Sequence, residues 1–79
     1  MKGKKVEITL HTPILIEVGE ESARKTEAVA KIRAQVSEAG EGGLLLEIHE
    51  LRNERAQKLA SPAGSVFLPF HKIDHIFFI

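Results

Sequence analysis

The sequence contains no cysteine, no tryptophan and no tyrosine, and its charges cancel, with 11 Lys and Arg against 11 Asp and Glu. Without cysteine there is no disulfide framework, no thiolate metal cage and no thiol nucleophile. Without an excess of either charge, the chain has no long-range field to steer it toward nucleic acid, so any such contact must come from a local cluster of bases. No stretch approaches the roughly 18 apolar residues of a membrane-spanning helix. The basic start Met1-Lys2-Gly3-Lys4-Lys5 leads into the alternation Val6-Glu7-Ile8-Thr9-Leu10 rather than into the unbroken apolar run of a secretion signal. These absences lead us to expect a cytoplasmic protein with no membrane partner.

A chain of 79 residues can hold one core, so residues 1–79 are read as a single domain. Domains this small are marginal alone, and self-association is an obvious source of further stability.

The dominant pattern is the two-residue period of β-strands. Val6 to Val18 alternates apolar and polar residues until Pro13, which cannot donate to a ladder and should mark a bend, a bulge or an edge. Ser22 to Ala39 admits two readings. As a helix it would be capped by Ser22, ended by Gly40 and carry Val29, Ile32 and Val36 on one face, making the protein α+β. As a strand it places Thr26, Ala28, Ala30, Ile32, Ala34 and Val36 on one side and Glu27, Lys31, Arg33, Gln35 and Ser37 on the other, with Val29 the exception. The strand is favoured, because the helical stripe must admit Lys25 and Arg33 at its edges.

Glu38 to Gly43 contains three glycines, expected to supply positive φ for a turn between two strands. Beyond it, Leu44, Leu46 and Ile48 share one face of a strand and Leu45 and Leu51 the other. Arg52-Asn53-Glu54-Arg55 reads as a polar tip, and Ala56 to Ser65 as an exposed connection with a short strand near Gln57 to Leu59. All four phenylalanines lie between Ser65 and Ile79, from which much of the core is therefore expected. Ile76-Phe77-Phe78-Ile79 is apolar on both faces, so one face can fill the interior while the other calls for a second copy of the chain. Five strands with short connections suit a small mostly-β barrel with strongly bent strands.

Residues Phe67 to Ile76, F-L-P-F-H-K-I-D-H-I, resemble the second signature motif of Sm-like proteins. That motif has two apolar strand residues, Arg-Gly, two variable residues, an apolar residue, two more variable residues and a last apolar residue. Phe67 and Leu68 take the opening pair, and Ile73 and Ile76 take the later apolar positions. Pro69-Phe70 stands where the family has Arg-Gly, and Gly40 and Gly43 stand where its first motif has Asp and Asn. His71 and Lys72 are similar to the Lys-His pair of the bacterial host-factor branch, in reversed order and shifted. The resemblance implies a five-stranded SH3-like or Sm-like barrel that assembles into a homo-oligomeric ring. It also implies contact with single-stranded RNA through Phe70, His71 and Lys72, where Phe70 could stack on a base. The alternative is a module of the same fold whose partner is another protein, held by the Arg52 to Gly64 loop or the Pro69-Phe70 surface.

No cofactor or metal is expected. On a strand His71 and His75 would stand about 13 Å apart at roughly 3.3 Å per residue, too far for one ion. A 3₁₀ turn at Lys72 to Asp74 would shorten that distance, and His11 and His49 could lie nearby. Ser61 or Ser65 with a histidine and Asp74 has no nucleophile elbow or oxyanion motif beside it, so no catalytic residue is assigned and the protein is read as a non-enzyme.

Overall fold

The computed structural model describes residues 2–18, 25–59 and 64–79. Over these residues the chain is mostly β: β1 (Lys5–Val18), β2 (Lys25–Ala39), β3 (Gly43–Arg52), β4 (Lys58–Leu59), β5 (Ser65–Pro69), a 3₁₀ turn (Phe70–Lys72) and β6 (Ile73–Phe78). The six strands form one antiparallel sheet in the order β4-β3-β2-β1-β6, with β5 also pairing to β3, and its path is open rather than closed. Five strands were expected, and the sixth is the two-residue β4 at the short strand anticipated near Gln57 to Leu59.

Lys25–Ala39 is a strand paired with β1 on one side and β3 on the other, which decides against the helical alternative there. The proposed helix cap Ser22 and residues Ser61, Pro62 and Ala63 of the expected connection lie outside the described residues.

The long strands bend because they must. A straight strand of 15 residues would run about 50 Å at about 3.3 Å per residue, whereas the longest dimension of the molecule is 35 Å. The bends fall at register shifts. Between Thr9 and Ile14, β1 slips against β2, and Pro13 sits inside that slip. The ladder partners run from Thr9↔Lys31 to Ile14↔Val29, so the inward phase of β2 changes between those pairs. Val29, the exception to the expected alternation, is therefore fully buried together with Ile32, Ala34 and Val36, while Ala28 and Ala30 are only partly buried. A second shift leaves His49 unpaired between Ile48↔Ala34 and Glu50↔Arg33, and turns Leu51 into the core. Leu45, expected on the face opposite Leu44, does point outward.

The core consists of Val6, Ile8 and Leu10 from β1, Val29, Ile32, Ala34 and Val36 from β2, Leu44, Leu46 and Leu51 from β3, and Leu68 from β5. This corrects the expectation that the C-terminal phenylalanines build it. Phe67, Phe70, Phe77 and Phe78 are 56%, 42%, 57% and 62% exposed. Aliphatic side chains of the three central strands fill the interior, while the phenylalanines ride on β5, β6 and the turn between them, where no further strand covers them.

The turn after β2 also differs from expectation. Positive φ among the described glycines occurs at Gly3 and Gly64, not at Gly40, Gly42 or Gly43. The turn is closed instead by the Gly40 N–H donating to the Gly43 carbonyl at 3.0 Å. The Arg52–Arg55 tip is a turn organised by Asn53, whose side-chain oxygen accepts from the backbone N–H groups of Arg55 at 3.0 Å and Gln57 at 2.9 Å.

Candidate interaction surface

Phe70, His71 and Lys72 form the 3₁₀ turn itself. Pro69 precedes it at φ −62°, a value its ring favours, and the Phe70 N–H donates to the Gly42 carbonyl at 3.1 Å. The turn is thereby fastened to the loop between β2 and β3. All three side chains are exposed, which removes the reading of Phe70 as a core residue. Among the described residues no ion pair engages His71 or Lys72, so their donors face solvent. The turn occupies residues 70–72 rather than the expected 72–74.

Asp74 lies where β6 slips against β1. Thr9 pairs with His75 and Leu10 with Ile73, leaving Asp74 as the extra residue of a bulge. A bulge re-aims its side chain, and here the carboxylate stands between two imidazoles. Asp74 Oδ2 is 3.1 Å from His75 Nδ1, and Asp74 Oδ1 is 3.5 Å from His11 Nδ1. The His75 ring meets Phe77 edge-on, with centroids 5.0 Å apart. His11, expected as a possible neighbour of this segment, joins Asp74 and His75 because β1 and β6 are neighbours. His49 lies on β3. Among the described residues no group of three or more ligand-type side chains is placed to hold a metal ion.

The outward face of the central strands is electrostatically self-contained. Arg33 on β2 lies between Glu7 of β1 and Glu50 of β3, with Nε 2.9 Å and 3.6 Å from their carboxylates. Arg52 donates to Glu50 at 2.8 Å and to the Ala56 carbonyl at 2.7 Å. Arg33 and Arg52 are thus both engaged in contacts within the sheet and its turn. A cleft of about 340 Å³ lies between β2 and the β3–β4 turn, lined by Glu27, Ala28, Asn53, Glu54 and Arg55. Its Asn53, Glu54 and Arg55 belong to the Arg52 to Gly64 loop, whereas Phe70, His71 and Lys72 do not line it.

No protein family, curated protein or solved structure matches this chain. The reading of its surface therefore rests on its own geometry.

That geometry is dominated by two sheet edges. Among the described residues β6 pairs only with β1, and β5 only with β3, so each keeps one unpaired side. β5 displays Phe67, directly opposite the exposed Leu45 on β3. β6 displays Phe77 on the same face as Glu7, displays Phe78 toward the side of Val6, and leads to Ile79, itself 62% exposed. Sequence reasoning foresaw the apolar C-terminal end but missed the Leu45–Phe67 pair, because only the β3–β5 register brings those residues together. No helix among the described residues is long and apolar enough to cross a membrane.

Proposed function

We propose that this chain is a non-catalytic, self-assembling binding module built on a small SH3-like or Sm-like barrel. Its strand order, with β6 beside β1 and β5 beside β3, supports the barrel, because β5 and β6 flank opposite ends of the pairing path yet are joined by a turn of only three residues. Three residues span at most about 11 Å, which draws the two ends of a bent sheet toward each other.

The observation that carries the proposal is the aromatic exposure at the two unpaired edges, Phe67 on β5 and Phe77 and Phe78 on β6. Free edges bearing large apolar side chains template pairing with another chain. A second copy that lays its β5 along β6 covers both edges in one repeated contact, and such a head-to-tail contact yields a ring where its rotation closes. The Phe70-His71-Lys72 turn sits between the two edges and offers a ring for stacking, an imidazole and an ammonium that no ion pair engages among the described residues. In this reading it is the contact for single-stranded RNA. A second reading, with a protein as the partner, is favoured by the outward Leu45–Phe67 pair and by the absence of net charge.

The test is the solution mass by light scattering, followed by the ultraviolet spectrum of the same sample. A protein without tryptophan or tyrosine absorbs almost nothing at the usual protein maximum, so co-purifying RNA stands out. A closed oligomer with a nuclease-sensitive spectrum supports the RNA-binding ring, and a clean oligomer supports the protein-binding module. A monomer at high concentration overturns self-assembly.

A further inference from the structure

We infer that β5 of one copy pairs antiparallel with β6 of the next in one register, Ser65 opposite Phe78 and Phe67 opposite Ile76, and that the sheet turns inside out at this joint. The inference rests on the self-association proposed above and specifies the contact through which it occurs.

Backbone hydrogen bonds set which groups each edge leaves free. Residues directly opposite one another in an antiparallel pair alternate between bonded and non-bonded pairs. At one end of the β3–β5 ladder the Ile48 N–H donates to the Gly64 carbonyl at 3.2 Å, and at the other the Phe70 N–H donates to the Gly42 carbonyl at 3.1 Å. On the register Leu46↔Val66 and Leu44↔Leu68, Val66 and Leu68 therefore face β3, while the N–H and C=O groups of Ser65 and Phe67 face away from it. Pro69 also faces away, and it has no N–H to offer. On β6 the Ile79 N–H donates to the Lys5 carbonyl at 3.0 Å. His75 and Phe77 accordingly face β1, and the N–H and C=O groups of Ile76 and Phe78 face away. The free run Ser65 and Phe67 is thus bounded by Pro69, and the free run Ile76 and Phe78 by the bulge at Asp74.

The two edges of one chain do not pair with each other. The ladders that lead from β6 through β1, β2 and β3 to β5 are all antiparallel, so β5 and β6 run in the same sense along the path. Parallel neighbours need a crossover of about a dozen residues, and only the turn Phe70–Lys72 joins these two strands. A second copy meets no such limit. Laid antiparallel on β5, its β6 lets Ser65 exchange both backbone bonds with Phe78, and Phe67 with Ile76. The same register sets the Asp74 bulge against Pro69, so the interruptions of the two edges coincide. A slip of two residues sets either Pro69 against Ile76 or the bulge against Phe67, and breaks the ladder in both cases.

Residues paired in this way point their side chains to one side. Phe67 lies on the outer face opposite Leu45, whereas Ile76 stands opposite the buried Ile8 and packs against the core. The outer face of β5 therefore continues as the inner face of the neighbour's β6. Phe67 enters the interior side of the next copy beside Ile76, with the Phe78 ring within diagonal reach. In return Phe77, which points outward on its own β6, comes opposite Val66, which packs against the core of the first copy. The exposed phenylalanines of both edges gain apolar partners in one contact.

The test uses the absence of cysteine from the chain. Full-length variants with one cysteine each are mixed in pairs, one member isotope-labelled, at a concentration where light scattering shows the mixture assembled. Mild oxidation follows, and the mixed disulfide is identified by its mass. A disulfide needs Cα atoms within about 7 Å and side chains directed toward each other. Ser65→Cys with Phe78→Cys meets both conditions, as does Val66→Cys with Phe77→Cys, and each pair should give the mixed disulfide as its main product. Ser65 and Phe78 are exposed, so the first pair reports the register even where Val66→Cys disturbs the core. Phe67→Cys with Phe78→Cys represents the joint slipped by two residues, and Ser65→Cys with Phe77→Cys the joint without inversion; both should give little. A mixed disulfide formed foremost by either of these overturns the inference and leaves self-association standing. An assembled mixture in which no pair crosslinks does the same, since the contact then lies on another surface. A wild-type chain monomeric at high concentration overturns both readings together.

Discussion

Gly43 and Pro69 are ladder partners where β3 meets β5, and no side chain fits between them. A Cβ on Gly43 would meet the Leu68 carbonyl oxygen and lie 2.8 Å from the Pro69 Cα, both of them backbone that cannot step aside. The glycine is thus required by close approach rather than by an unusual backbone angle. Gly43→Ala should destabilise the fold by about 2 kcal/mol or more, the scale of overpacking a close-packed site. Urea unfolding should show this as a lower midpoint at unchanged slope. A neutral result would mean that β5 does not approach β3 so closely.

The opposite sign is expected at Ala56, which adopts φ +61° in the turn between β3 and β4. A left-handed conformation costs an L-residue roughly 1–2 kcal/mol, and glycine is free of that penalty but loses more backbone entropy on folding. Ala56→Gly should therefore raise stability slightly, by about 0.5 kcal/mol, while Ala56→Val should lower it. Thermal melts of the pair read the difference. The turn must otherwise stay intact, since the Ala56 N–H donates to the Asn53 carbonyl and the Ala56 carbonyl accepts from Arg52.

Asn53 is the organiser of that turn. Its side-chain oxygen receives two backbone N–H groups, and its side-chain amide donates to Gln57 at 2.9 Å. Asn53→Ala removes all three contacts and should cost about 1 kcal/mol, the cost of losing a comparable side-chain cap. Asn53→Asp keeps the acceptor and should recover most of the loss, which a generally disruptive substitution would not allow. Two-state unfolding of the three proteins separates these outcomes.

Much of the fold was legible in the sequence because alternation reports which strands have a buried face. β1, β2 and β3 were recognisable from Val6-Ile8-Leu10, Ile32-Ala34-Val36 and Leu44-Leu46, and Pro13 marked the bend in β1. What was not legible depends on partners distant in sequence. The slips that bury Val29 and Leu51 arise from pairing between strands, and a bulge leaves no mark in hydropathy. Whether an apolar strand is central or at an edge is likewise a property of topology. For that reason the segment from Ser65 to Ile79 was expected to supply much of the core, whereas Phe67, Phe77 and Phe78 are exposed and Leu68 is its one fully buried residue. The candidates Phe70, His71 and Lys72 share a 3₁₀ turn that the sequence had placed at Lys72 to Asp74, and the meeting of His11 with Asp74 and His75 required the β1–β6 register.

The charge ladder across the outer face gives a prediction about salt. Arg33 bridges Glu7 and Glu50, and its side chain is 46% exposed, so solvent screens the pair. Exposed pairs of this kind contribute about 0.2–1 kcal/mol. Arg33→Ala also leaves two carboxylates, on the strands either side of β2, with their shared cation gone, so the loss should reach the upper part of that range at low ionic strength. It should shrink when salt is raised to about 1 M, where the screening length falls to about 3 Å. Arg33→Met separates packing from charge, because it keeps a long apolar stem over the sheet while losing the guanidinium. If Arg33→Met retains full stability at low salt, the ladder is surface decoration. If it loses what Arg33→Ala loses and recovers it in salt, the ladder is an electrostatic tie across three strands, and the arginine is committed to the sheet rather than to any ligand.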